Sequence, residues 1–117
     1  MKMTCVKSSA GWATVCKGSF TAAGTRPEED TYLMGWDIAT KQAHMYEVTS
    51  AADVHDHVGA WSDDRSITVT HRGKTVDGQE EEAAITFTWI SAKQLGAEGV
   101  GKVAGKSAWT MSATFKK

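Results

Sequence analysis

Strict two-residue alternation constrains this chain more than any other feature. Residues 83–89 place Ala83, Ile85, Phe87 and Trp89 on one side and Ala84, Thr86 and Thr88 on the other. Residues 109–115 repeat the pattern, with Trp109, Met111, Ala113 and Phe115 set against Thr110, Ser112 and Thr114. A period of two is the signature of a strand with one buried face, and no sustained 3.6 period competes with it. The same reading predicts strands near 3–9, 12–22, 30–37, 41–49, 54–61, 66–73 and 93–100. Turn chemistry separates them: Asp37-Ile38-Ala39-Thr40, Ser50-Ala51-Ala52-Asp53, Ser62-Asp63-Asp64-Arg65 and Asp77-Gly78. The only proline, Pro27, sits in the longest polar connection, residues 23–30. The glycines between Gly96 and Gly105 suggest a bulged or mobile edge. The expected fold is therefore all-β, an antiparallel meander of about eight or nine strands with little or no helix. Closure into a small barrel is favoured because it removes exposed edges.

The 117 residues fit one domain, 1–117, without linker, repeat or low-complexity tract. A formal charge of −1, with basic and acidic residues spread evenly, lacks the basic surplus that nucleic-acid binding needs. No apolar run approaches the roughly 20 residues of a membrane helix. No signal peptide is visible after Met1, so a cytoplasmic protein is expected. Cys5 and Cys16 face each other if Ala10 and Gly11 form a hairpin turn, which brings them within disulfide range. A reducing cytosol would keep them as thiols, and the sequence leaves both states open.

The interior face follows from counting. If residues 37–40, 50–53 and 62–65 are four-residue loops, Trp36 pairs with Lys41, Thr49 with Val54 and Trp61 with Ser66. One face then gathers Tyr32, Met34, Trp36, Ala43, Met45, Val54, Val58, Ala60, Ile67 and Val69, with Glu47, Asp56 and His71 among them. This is the more apolar face and is assigned to the interior. Asp56 falls directly across from both Glu47 and His71. Carboxylates and a histidine buried together must pair or change protonation. The count is sensitive to single bulges, which exchange a strand's faces. The Asp77-Gly78 hairpin already requires one, since a two-residue turn would put Val69 opposite Thr86.

On this reading Tyr32, Met34, Trp36, Met45, Glu47, Asp56, His71 and Trp89 line a ligand pocket. His55 and His57 share the outer face with His44. An H-x-H strand suits a metal site in some barrels, but a cupin-type site wants a carboxylate a few residues further on. The chain has Val58-Gly59-Ala60-Trp61 there, so no metal and no cofactor are expected. No nucleophile elbow or phosphate loop is present, and no catalytic residue is assigned.

The stretch from Tyr32 to Phe115 resembles a family of small bacterial lipocalin-like (calycin-type) proteins known as a domain of unknown function. The residues that carry the resemblance are Gly35-Trp36-Asp37 and Thr40-Lys41, then Met45-Tyr46-Glu47-Val48. The Val54-His55-Asp56-His57-Val58-Gly59 strand and the closing strand from Thr110 to Lys116 complete it. The resemblance implies a lipocalin-like barrel with an apolar cavity, and brings no established activity. Members usually begin with a short helix and a Trp-containing strand, for which this chain leaves little room. A homodimer covering the resulting gap is therefore expected. The leading functional expectation is a module that binds a small apolar or amphipathic ligand, with Glu47, Asp56 and His71 at its polar end. The alternatives are an enzyme using those three residues for proton transfer, and an interaction protein with a filled barrel.

Overall fold

The computed structural model describes residues 2–20 and 27–116. Residues 21–26, which hold the end of the expected second strand and the first half of the polar connection, lie outside the described residues. Nine strands follow one another: β1 (Lys2–Ser8), β2 (Ala13–Phe20), β3 (Glu28–Asp37), β4 (Gln42–Thr49), β5 (Val54–Trp61), β6 (Ser66–Lys74), β7 (Glu80–Ser91), β8 (Gln94–Val103) and β9 (Lys106–Lys116). Each pairs antiparallel with its neighbours in the chain, giving one sheet in the order β1 to β9. No helix among the described residues is long and apolar enough to cross a membrane.

The all-β meander is thus the fold, but its closure is corrected. The sheet curls into a half-barrel, and β1 and β9 do not pair with each other among the described residues. Closure requires strand tilt and stagger to match around the whole ring, a condition that no local pattern in the sequence encodes. Both edge strands carry lysines, Lys2 and Lys7 on β1 and Lys106 and Lys116 on β9. Charge of this kind discourages further strand addition at an open edge. Curling is tight between β5 and β6, where a side chain at Gly59 would collide with the Thr68 carbonyl. Near the far edge, the Trp109 indole lies against Gly101 in the space that a Cβ would fill.

Cys16, Tyr32, Met45, Val69 and Ile85 form the buried centre on the concave face. Met34, Ile67, Phe87 and Met111 pack around it. Each such side chain contributes about 1.5–3 kcal/mol when fully buried. The convex face carries cross-strand hydroxyl pairs, Thr68 with Thr86 at 2.9 Å and Ser66 with Thr88 at 3.1 Å.

Three hairpins depart from the counted registers. Trp36 pairs with Ala43 rather than Lys41, a displacement of two that keeps every face. Asp37 holds this turn by accepting from the Ala39 amide at 2.9 Å and the Thr40 hydroxyl at 2.7 Å. Val48, not Thr49, pairs with Val54, so the β4–β5 loop spans residues 49–53. Its extra residue is absorbed by Ala52 at φ 68°, while the Thr49 hydroxyl accepts from the amides of Ala51 and Asp53. That slip of one turns β5 over. The β5–β6 loop slips by one in the opposite sense, with Trp61 opposite Ile67, so β6 returns to its expected face. The bulge required at Asp77-Gly78 is present: Val69 faces Ile85, with Gly78 at φ 81°.

Cys5 pairs with Cys16 across the first hairpin as expected, and the two form a disulfide with Cα atoms 4.1 Å apart. The bond ties the edge strand β1 to β2, its neighbour in the sheet among the described residues. Constraining a loop of this length in the unfolded chain stabilises by about 3 kcal/mol.

Candidate functional site

Along each central strand the concave face changes character. From one end to the other, β3 presents Trp36, Met34, Tyr32 and Asp30, and β4 presents Ala43, Met45 and Glu47. The same direction reads Trp61, Gly59, His57 and His55 on β5, and Ile67, Val69 and His71 on β6. On β7 it runs from Trp89 through Phe87, Ile85 and Ala83 to Glu81. Alternation therefore delivers an aromatic end and an ionisable end, separated by the buried layer of Met45, Val69 and Ile85.

The ionisable end is a histidine cluster flanked by carboxylates. The rings of His55 and His71 stack with centroids 4.6 Å apart, and His57 lies 5.2 Å from His71. Glu47 Oε2 is 3.5 Å from His55 Nδ1, and Glu81 Oε2 is 3.5 Å from His55 Nε2. His71 Nδ1 lies 3.3 Å from the Asp56 carbonyl oxygen. The Tyr32 hydroxyl donates to Asp30 Oδ2 at 3.1 Å. His57 is 1% exposed and His71 8%, yet His57 Nδ1, His71 Nε2 and Asp30 Oδ1 have no hydrogen-bond partner among the described residues.

Electrostatics follow from this packing. Burial raises the Asp30 carboxyl above its ordinary value, partly offset by the Tyr32 hydrogen bond. Burial, with Glu47 and Asp30 nearby, pushes the Tyr32 phenol far above its usual range. Burial also opposes ionisation of Glu47, but the adjoining His55, Tyr32 and His57 side chains outweigh it and hold the carboxyl low. The Glu47 hydrogen bond raises His55 against its burial, with Glu81 adding to the rise. His57 moves the other way, because desolvation disfavours its charged form and His71 and His55 reinforce the effect.

The aromatic end is open. A cavity of about 950 Å³ is lined by Trp12, Trp36, Trp61 and Trp89, with Met34 and Phe115 among the other walls. Both edge strands contribute, β1 through Met3 and Cys5 and β9 through Phe115 and Lys116, so the unpaired seam borders the hollow. Trp12 is 61% exposed and Trp61 48%, and Trp61 packs obliquely on Trp89 at 5.3 Å. Exposed indoles grouped around one hollow are unusual for a surface whose only task is solubility.

The residues expected in one pocket thus fall into three places. Met34, Trp36, Met45 and Trp89 line the cavity together. Tyr32, Glu47 and His71 belong to the opposite, ionisable end. Asp56 belongs to neither and is corrected: it lies on the convex face, 3.5 Å from His44 Nδ1, with half of its side chain exposed. The turned-over β5 carries Val54, Val58 and Ala60 outward with it and brings His55 and His57 inside. Counting missed Asp30, His55, His57 and Glu81. Two signals were available: the alternation of residues 83–89 extends backward to Glu81, and that of Met34 and Tyr32 extends to Asp30. No family model matches this chain, and neither does any curated protein or solved structure.

Proposed function

We propose that the protein binds a small apolar or amphipathic molecule at the aromatic end of its half-barrel. The observation that carries this reading is the hollow itself: about 950 Å³, walled by four tryptophans. Ligand sites of this kind typically span ~300–1,000 Å³ with mostly apolar walls and few polar groups. The polar part of the ligand would meet the rim, where Lys93, Gln94 and Lys116 reach the cavity, rather than Glu47, Asp56 and His71. Acid–base catalysis by the buried cluster is disfavoured for such a ligand, because Met45 and Val69 stand between it and the hollow. A filled barrel acting only as an interaction module is disfavoured by the hollow.

Three further readings accompany this one. A curled nine-stranded meander supports kinship with lipocalin-like proteins. The outer edges of β1 and β9, which do not pair with each other among the described residues, are the surfaces that a homodimer would cover. The disulfide favours an oxidising compartment over the cytoplasm. No nucleic-acid or membrane partner is proposed.

Titration with anilinonaphthalene sulfonate tests the binding site. Saturable binding at one site is expected, weakened at least about tenfold by Trp36→Ala through loss of aromatic contact area. Absence of saturable binding, or indifference to both Trp36→Ala and Trp61→Ala, would overturn the reading. Native mass spectrometry of the purified protein tests the dimer and reports any retained organic mass.

A further inference from the structure

We infer that the ionisable end is a binding site for a divalent transition-metal ion, held by His55 Nε2, His71 Nε2 and the Glu81 carboxylate. This goes beyond the ligand reading and does not depend on it. These three side chains bring one ligand atom each to within 4.8 Å of one another. They come from three consecutive strands, β5, β6 and β7, and all face the concave side.

The hydrogen-bond logic points to a cation. His71 Nδ1 faces the carbonyl of Asp56, which only accepts, so Nδ1 carries the hydrogen. In the neutral ring, Nε2 then presents a lone pair into a buried space where no described residue donates to it. His55 repeats the arrangement. Its Nδ1 faces the acceptor Glu47, and its Nε2 faces a second acceptor, Glu81 Oε2, at 3.5 Å. A lone pair and a carboxylate set against each other, with a second buried lone pair close by, are answered together by a cation placed between them. A second proton on His55 would let it donate to both Glu47 and Glu81 but would leave the buried His71 Nε2 lone pair unmet. A divalent ion meets both lone pairs and the Glu81 carboxylate, and balances the charges of Glu47 and Glu81 together.

The surroundings match what metal-bound imidazoles need. Each ligating ring would donate its other nitrogen to a fixed acceptor, Glu47 for His55 and the Asp56 carbonyl for His71, which sets tautomer and orientation. Gly73 leaves the approach to His71 open, since a Cβ there would stand 2.6 Å from Nε2. Two imidazoles and a carboxylate select zinc, cobalt or ferrous iron over calcium or magnesium. Three protein ligands leave a coordination position free, the pattern of sites that hold water or an exogenous ligand. His57 Nδ1, buried and unpartnered among the described residues, stands beside the cluster near Glu47 and His55.

Cobalt(II) titration of the intact, metal-stripped protein tests this directly. One ion per chain is expected, with visible absorption of a nitrogen- and oxygen-ligated centre, displaced by zinc. Glu47→Gln should weaken cobalt binding ~10–100-fold through the His55 orientation alone, and His71→Gln and Glu81→Gln should weaken it further. His44→Ala, on the convex face, should leave it unchanged. Circular dichroism establishes that each variant is folded, and the wild-type stoichiometry stands without any variant. No bound cobalt or zinc in the wild type would overturn the proposal. So would binding that survives both His71→Gln and Glu81→Gln, or that is lost in His44→Ala.

Discussion

The two ends of the concave face are built from the same five strands and have opposite properties. At one end, Trp36, Trp61 and Trp89 wall the hollow and are partly exposed to water. At the other, Glu47, His55, His57, His71 and Glu81 crowd together with little or no exposure. In a conventional core these roles would be reversed, with aromatic groups packed and ionisable groups solvated. The inversion separates two tasks. The open end has apolar surface to offer a ligand, and the closed end has lone pairs to offer a cation. The layer of Met45, Val69 and Ile85 between them supplies the stability that neither end provides.

That contrast can be broken experimentally. The largest expected effect comes from the dividing layer. Met45→Ala should cost about 2–5 kcal/mol, as truncation of a fully buried side chain does. Trp89→Ala at the open end should cost clearly less in chemical denaturation, because 40% of that side chain is already exposed. Equal losses would mean that the open end is packed like a core. Next comes the seam. The double substitution Cys5→Ser with Cys16→Ser should remove about 3 kcal/mol, lowering the melting temperature on the order of 10 °C, and reduction of the wild type should do the same. An unchanged melting curve under reductant would show that β1 is held without the bond.

A smaller effect sharpens the account of the closed end. The Asp30 carboxyl is raised by burial, so its folded-state contribution is complete below the ordinary carboxylate range and is lost as pH rises through the folded value. Asp30→Asn keeps an acceptor for Tyr32 and should therefore melt higher than wild type at neutral pH, with the difference fading in acid. A lower melting temperature at neutral pH would contradict the burial argument. The smallest effect lies outside both ends, in the β3–β4 turn. Hydrogen bonds from the Thr40 side chain and the Ala39 amide hold Asp37 low, so its contribution is present above the ordinary carboxylate range and lost as pH falls through the depressed value. Asp37→Asn should destabilise slightly at neutral pH and not at all in strong acid, as pH-dependent melting curves will show.

Much of this architecture is legible in the sequence. Alternation at 83–89 and 109–115 and the turn residues between strands locate all nine elements to within a few residues. The bulge at Asp77-Gly78 is required by counting alone and is present. The site is less legible, because side-chain facing depends on loop length to a single residue. Ala52 is the clearest instance. It takes a left-handed φ of 68° in the β4–β5 loop, a conformation that an alanine does not advertise. That one residue moves Asp56 out and His55 and His57 in, while the opposite slip at 62–65 conceals the error from β6 onward. The open seam is illegible for a different reason: closure is a property of the whole sheet, and each local pattern fits a closed barrel equally well.

The loop at residues 49–53 therefore acts as more than a connection. Length changes in surface loops are ordinarily the mildest events in a β protein's history, since they alter no packed side chain. Here one deletion would rotate β5 by half a turn, exchanging two inward histidines for Asp56 and its flanking valines with scarcely a change in backbone path. A compensating change at 62–65 would leave the rest of the sheet unaware. Any descendant or engineered copy of this chain would keep or lose its buried histidines according to the length of that loop, while every histidine remained in its sequence.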